Sequence, residues 1–344
     1  MFAITLNSAE SQFGYLMALV KWQDMVRETL SAPTGVATPI ILDQPTIDIL
    51  SAELPPKKFW QTYDHCAAVG RGYSIFEDAV EKMVREYLEL LTKITPSYAS
   101  LIDAVRTQHR VGIAHVMGKW GDEKSLYSAL KEVDLAGGFV DGLRGGSYGI
   151  LAEAFLTDSD NYRWDTLDRI FRKIGFDGAL ASISENAEVQ SFQQGQLGGE
   201  SVAGRLNSFV KLRNEAAHGS VDTVLSANEL HTSLRLLIVL LSAFAGLLRW
   251  DLTQKAVGSK AAVHLGTLVK RYSNHVFGVR GTEVGIVKRG DKVLVGKKAL
   301  RYVEIVSLKI RDDTVEQVNI EKDVEFGVKL AANTAEGSEI YIWK

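Results

Sequence analysis

The chain has little that would tie it together covalently. Among its 344 residues there is one cysteine, Cys66, which excludes an internal disulfide framework and any cysteine-rich zinc site. Charge of one sign is also lacking. The net charge is -3, so no global field draws the chain to nucleic acid, and any such contact must come from local clusters. The opening MFAITLNSAESQ has no basic start and no signal-type apolar core, and a reducing cytoplasmic setting is expected. The longest apolar run, Leu236 to Leu248, is shorter than the roughly 18 residues a membrane span needs, so no membrane is expected and a buried helix is. No HExxH, CxxC or G-x-S-x-G string occurs, which removes support for metalloprotease, zinc-module and esterase chemistry. The glycine-rich Gly142–Gly149 lacks the GK[ST] ending of a phosphate loop and reads as a joint. No metal and no cofactor is expected.

What the chain does have is helical periodicity. Phe76, Val80, Met83, Val84, Tyr87 and Leu91 make one stripe of a long helix over Phe59–Leu91, with Gly70-Arg71-Gly72 placed to kink it. A second helix is expected over Ser97–His115, and two more over Ser201–Ala217 and Asn228–Trp250, the last opened by a Ser226/Glu229 capping box. Between them, 122–180 reads as shorter helices with glycine joints, and Ser191–Glu200 as a polar loop. Residues 1–58 read as an N-terminal extension. They hold one helix to about Leu30, then a loop with three of the six prolines and a short strand at Pro39–Leu42. The helical domain is set at 59–258 and a connector at 259–274. From 275 to 344 the period becomes two, and β-branched residues mark strands near 276–279, 282–287, 292–295, 300–310, 315–320, 324–330 and 340–343. That many short strands should close into a small barrel. The expected class is therefore mainly α, a helical bundle with a small C-terminal all-β barrel.

The stretch Leu206–Gly219, LNSFVKLRNEAAHG, is the most informative. Leu206, Phe209, Val210, Arg213 and Ala217 share one side of a helix, so Arg213 lies on or beside an apolar stripe and needs a partner or a task. Gly219 is a helix stop directly after His218. Five steps of about 100° put Arg213 and His218 on different sides of an ideal helix. If both serve one site, the helix ends near Ala217 or the site draws on two copies of the segment. A second string with the same spacing, Arg110-Val111-Gly112-Ile113-Ala114-His115, lacks the polar second residue and carries a glycine; a packed core histidine explains it better. His109 is available to pair with an acid. Glu77 and Asp78 read as a solvated face rather than partners of Arg213.

Arg213-Asn214-Glu215-Ala216-Ala217-His218, with an apolar helix on each side, resembles the R-x4-6-H motif of HEPN domains, which are helical and in many cases metal-independent endoribonucleases. The long first helix and the long insertion before the motif resemble the RiboL-PSP group of prokaryotic conflict systems. The resemblance implies a homodimer in which two motifs line one cleft, and a toxin or anti-phage defence role with RNA as substrate. It also leaves open an inactive HEPN fold serving as a binding or scaffold subunit beside a partner protein. The chemistry fits the residues. A ribose 2′-OH can attack its own phosphodiester without metal, given a proton-transfer group and a cation on the crowded oxyanions. Histidine titrates near neutrality and helix C-terminal carbonyls favour a positive charge, which suits His218 to the first task. The forked guanidinium of Arg213 suits the second. Asn214 is placed either to orient His218 or to bind a phosphate oxygen, and Glu215 to hold Arg213 of a neighbouring copy.

The phrase Val284–Val295 and the tail Gly337–Tyr341 resemble the β-barrel domain that follows the GTPase domain in translation factors, which makes tRNA or rRNA the expected kind of target. In the barrel, Lys288, Arg289, Lys292, Lys297, Lys298 and Arg301 set six cations against Asp291, and with Lys211 they are candidates to contact an RNA backbone.

Overall fold

A computed structural model describes the chain apart from residues 33–35, 41, 54, 123, 124, 126, 158–160, 220 and 312 and the side chain of Glu132. Ten α-helices precede nine strands among the described residues. The helices are α1 (Ala3–Ser31), α2 (Gln44–Ala52), α3 (Lys57–Ile94), α4 (Asp103–Trp120), α5 (Glu132–Leu143), α6 (Trp164–Lys173), α7 (Ala179–Ser184), α8 (Ala187–Gln196), α9 (Val202–His218) and α10 (Ala227–Gly258). The strands are β1 (Ala262–Arg271), β2 (Val276–Gly281), β3 (Gly285–Lys288), β4 (Lys292–Gly296), β5 (Leu300–Ile310), β6 (Asp313–Val315), β7 (Gln317–Ile320), β8 (Glu325–Leu330) and β9 (Glu339–Trp343). The molecule is mainly α with a closed β-barrel at its C-terminal end.

The α3 stripe begins earlier than the sequence suggests, with Val69 and Tyr73, and stays buried to Leu91. α3 runs unbroken through Gly70-Arg71-Gly72. Gly72 is there for closeness rather than a kink. A Cβ at that position would lie 2.5 Å from Leu234 and 3.3 Å from Phe209, so its absence lets α9 and α10 lie against α3. The fourth long helix of this core is α1, not α4. Leu6, Phe13, Leu16 and Val20 of α1 belong to the same buried cluster as α3 and α10, and the buried Arg27 of α1 pairs with Asp64 of α3. Residues 1–58, read as an extension, thus supply a wall of the helical core. The helix α4 lies to one side, against the turn Ala152–Ala154. Gly112 makes that contact possible, since a Cβ there would collide with the Ala154 carbonyl.

α10 extends eight residues past Trp250, to Gly258. Among the described residues it is the one helix long and apolar enough to cross a membrane, and 67% of that stretch is buried inside the fold. Its start carries the expected capping box, with Ser226 and Glu229 satisfying each other's backbone amides. The polar stretch 191–196, read as loop, is instead the second half of α8, which buries only Val189 and Phe192. The described residues at 39–42 form no strand, and Ile41, part of that expectation, lies outside the described residues.

The strands read from the sequence are present, but 259–274 is not a connector: it holds β1, which pairs with both β2 and β9. The ring runs β4-β9-β1-β2-β8-β5 and closes by pairing of β4 with β5, all antiparallel; β6 extends from β5, and β3 with β7 forms a separate ribbon. Barrel and bundle meet along α10. Leu294, Leu300 and Tyr341 pack with Trp250, Val257 and Trp343, Gln254 donates to the Tyr341 hydroxyl at 2.9 Å, and the Trp343 indole N–H donates to Thr253 at 3.1 Å. Gly246 sets the approach, because a Cβ there would stand 3.1 Å from the Cβ of Ala299. Gly246→Val should therefore wedge the seam and lower stability by roughly 1–3 kcal/mol. Gly246→Ala should lower it less, because helix propensity returns up to about 1 kcal/mol. Urea unfolding of the two variants checks the order.

Candidate functional site

α9 begins at the N-cap Ser201, whose hydroxyl accepts from the Gly204 amide at 3.0 Å, and buries Val202, Leu206, Phe209 and Val210 against the bundle. It ends at His218, where Gly219 turns left-handed at φ 74° and its amide donates to the Glu215 carbonyl. The expected stop is there, one residue after Ala217, so the helix carries both motif residues. From Arg213 to His218 it rises about 7.5 Å and turns about 140°. Within one chain the two side chains leave the helix on different sides.

Arg213 is half-buried. Its guanidinium lies over the Tyr73 ring of α3, 4.8 Å from the centroid, and its Nη1 donates to Asn214 Oδ1 at 3.3 Å. The same Asn214 oxygen accepts from Asn161 Nδ2 at 3.0 Å. Tyr73 is itself fixed. Its hydroxyl donates to Glu77 Oε1 at 3.0 Å and accepts from the Tyr162 amide at 2.8 Å. Burial pushes the Tyr73 phenol far up, so Arg213 rests on a neutral ring. The Tyr162 hydroxyl donates to Glu81 at 3.2 Å, and burial raises the Glu81 carboxyl. Asn161 and Tyr162 thus tie the segment before α6 to the arginine. Glu77 serves Tyr73, and Asp78 pairs with Lys82; neither bridges to Arg213.

His218 is exposed and makes no hydrogen bond, ion pair or ring contact among the described residues. Glu215 turns inward instead of outward to another copy. Its Oε1 meets Lys211 Nζ at 3.4 Å, while Oε2 is buried without a partner. The nearby His65 of α3 is buried, and its Nδ1 accepts from the Leu225 amide at 3.2 Å. Burial lowers the His65 pKa and the Glu215 charge opposes that shift. Lys211, a candidate RNA contact, is exposed beside this group.

The second arginine–histidine string is placed differently. Arg110 is exposed, and its Nη2 donates to the Thr107 hydroxyl at 3.3 Å. His115 is half-buried, edge-on to Tyr127, with Nε2 buried and unpartnered. Neither meets Arg213 or His218 in any contact. His109, the expected partner of an acid, is the packed histidine of this helix. Its Nε2 accepts from the Leu151 amide at 2.9 Å, its Nδ1 lies 3.3 Å from the Tyr98 hydroxyl, and it stacks on Phe155. Since Nε2 accepts, neutral His109 carries its proton on Nδ1.

Burial lowers the His109 pKa from 6.5 to about 4. Between those two values the unfolded chain binds the extra proton and the folded one does not, so stability rises with pH across this window and is lost on acidification. The full effect is about 3 kcal/mol. Chemical denaturation at pH 7 and pH 4.5 should show most of that loss in the wild type, and a flatter response in His109→Gln.

The barrel cations separate into two groups. Lys288, Arg289 and Lys292 stand at the turn between β3 and β4, where Arg289 meets Glu316 at 3.4 Å and Lys292 lies opposite Glu304. Lys297, Lys298 and Arg301 stand at the other end of β4, beside the helical bundle. Pairing across strands adds acids that a count along the sequence omits.

The residues that hold Arg213, namely Tyr73, Asn161 and Tyr162, were not visible as site residues in the sequence. The one available signal was that Tyr73 continues the α3 stripe. Among the described residues no cluster of three or more His, Cys, Asp or Glu side chains is placed to hold a metal. In comparison with known proteins, the RiboL-PSP-HEPN family model matches residues 45–249. No curated protein matches the chain.

Proposed function

The chain belongs to the RiboL-PSP-HEPN family, whose domain suggests a nuclease or RNA-related role, and from that premise we propose that it is a metal-independent endoribonuclease. His218 transfers the proton, Arg213 stabilises the phosphate oxyanions, and Asn214 holds the guanidinium. The substrate strand supplies its own nucleophile, the 2′-OH, so DNA is not cut. The observation that carries this reading is the pairing of a pre-set arginine with an unoccupied histidine at one helix end. Arg213 is held on a neutral ring with Nη1 engaged by Asn214, and His218 faces solvent with no partner among the described residues. A fixed cation costs no reorganisation when charge builds on the phosphate.

Because the two side chains diverge on one helix, the working unit is a homodimer that brings Arg213 of one copy to His218 of the other. The cations at the β3–β4 turn and Lys211 contact the RNA backbone, and tRNA or rRNA is the class of target. The setting is a cytoplasmic toxin or anti-phage defence system with a partner protein.

A second reading has its own support. Tyr73 and Asn214 engage Arg213 within its own subunit, as they would in an inactive HEPN scaffold. Incubation of bulk RNA in EDTA with wild type and His218→Ala separates the two. Loss of cleavage in the variant supports the enzyme, whereas no cleavage by either protein, with a tight partner recovered in a pull-down, supports the scaffold.

A further inference from the structure

A concentration of positive charge lies away from the motif. A cleft of about 720 Å³ opens where the β4–β5 hairpin and the β8–β9 loop face α7, α8 and α10. Five cations line it: Arg249 and Arg271 with Lys297, Lys298 and Arg301. Only two acids, Glu185 and Glu188, line it with them, in a chain whose net charge is -3. None of the five cations forms an ion pair with a carboxylate among the described residues.

Arg249 is the telling member. It is 7% exposed, yet its Nε and Nη2 share a single neutral acceptor, the Met1 carbonyl, each at 3.3 Å. Its guanidinium lies over the rings of Phe2 and Tyr302, 5.9 and 5.7 Å from their centroids. Nη1 donates to no group among the described residues. The Glu86 and Glu10 carboxylates act on Arg249 through space, but neither forms an ion pair with it among the described residues, so the buried guanidinium keeps capacity for a directly bonded anion. A second guanidinium, Arg271, is oriented by Asn333 Oδ1 at 3.2 Å, by the Ser273 carbonyl at 3.3 Å and by Asn274 Oδ1, again neutral acceptors. Lys298 and Arg301 are exposed at the mouth. Behind these groups Ile183, Leu247 and Leu300 give an apolar floor, with Asn186 and Thr334 as polar edges.

We propose that this cleft binds a free nucleotide carrying two or more phosphates, with the phosphates on the five cations and the base on the apolar floor. The volume lies in the range of small-ligand sites, and the mix of apolar floor with a few convergent charged groups is what such sites use. It is far too small for a nucleic-acid duplex. It is also a different place from the motif. Arg249 stands 22 residues along α10 from Ala227, close to where α9 ends, which is about 33 Å of helical rise. The site therefore does not depend on the ribonuclease reading. Because one wall is barrel and the other bundle, an occupant clamps the seam and stabilises both parts by mass action.

Isothermal titration of the full chain in EDTA with ATP, GTP and inorganic tripolyphosphate tests this, beside thermal unfolding in each ligand. The expected result is that a nucleoside triphosphate binds more tightly than tripolyphosphate and raises the melting temperature. In Lys298→Ala/Arg301→Ala, both changes at exposed positions, affinity should fall at least about tenfold with the unliganded melting temperature unchanged. Arg249→Gln should weaken binding further; if it does not fold, the exposed double variant carries the test. Three outcomes overturn the proposal: no heat with any nucleotide at about 1 mM, equal affinity in wild type and double variant, or binding of a 5′-phosphorylated RNA pentamer while free nucleotides do not bind.

Discussion

His218→Ala should reduce cleavage of bulk RNA in EDTA by about 100- to 10,000-fold, the range a positioned proton-transfer group contributes. The variant is a clean one. His218 is exposed and has no partner among the described residues, so the melting curve should not move. Arg213→Ala should lose a comparable factor, since it removes the cation proposed to hold the phosphate oxyanions. Its fold will feel the change more, because the guanidinium covers Tyr73 at 4.8 Å. Arg213→Lys distinguishes charge from shape. An ammonium keeps the charge but cannot spread over the ring or present a fork, so most of the loss should remain. Tyr73→Phe keeps the ring while removing a hydroxyl that bonds Glu77 and the Tyr162 amide, and a partial loss is expected as the arginine loosens. The products should carry 2′,3′-cyclic phosphate and 5′-hydroxyl ends, and a 2′-deoxy substitution at the cut should stop the reaction. Equal rates in wild type and His218→Ala, or cleavage of the deoxy substrate, would sink the mechanism.

The helices that frame this site were legible because their apolar residues keep one period over many turns. α3, α9 and α10 declare themselves in this way, and Ser226 with Glu229 marks the start of α10 in the sequence alone. What was lost has physical causes. β1 was missed because two register shifts, between His264 and Gly266 and between Leu268 and Lys270, break the alternation that identifies a strand. α8 was missed because only Val189 and Phe192 of it face the core. α1 was recognised as a helix, but its place could not be read. Its partners, Asp64 for Arg27 and the helices α3 and α10 for its apolar face, lie far away in the chain. The site shows the same division. The Arg213–His218 spacing is local and readable. The support for Arg213 comes from Tyr73 on one helix and Asn161 and Tyr162 on a connecting segment, which only the fold brings together. The internal glycine of Arg110–His115 weakened that string as a motif, and the structure gives it a packing task against Ala154.

A mixture of two inactive variants should regain activity. If each cleft takes Arg213 from one copy and His218 from the other, a dimer of Arg213→Ala with His218→Ala contains one cleft with both residues intact and one with neither. Random exchange at equal concentrations makes half of the dimers mixed, and half of the clefts in those are whole, so about one quarter of the wild-type rate should return from two proteins each down by about 100-fold or more. The expectation follows from the helix itself. About 140° of rotation separates the two side chains, and α9 continues to His218 rather than unwinding before it, so one chain cannot turn both onto one phosphate without remodelling its last turn. The alternative is that the end of α9 frays in solution and His218 swings toward Arg213 in its own subunit. Then the mixture stays as inactive as its parts. The subunit exchange must be allowed to finish, which sedimentation of a tagged and an untagged copy can establish. Rescue also requires that the two copies place α9 against α9, so an exposed charge introduced at Ala217 should abolish both the dimer and the rescue, while leaving the isolated fold intact.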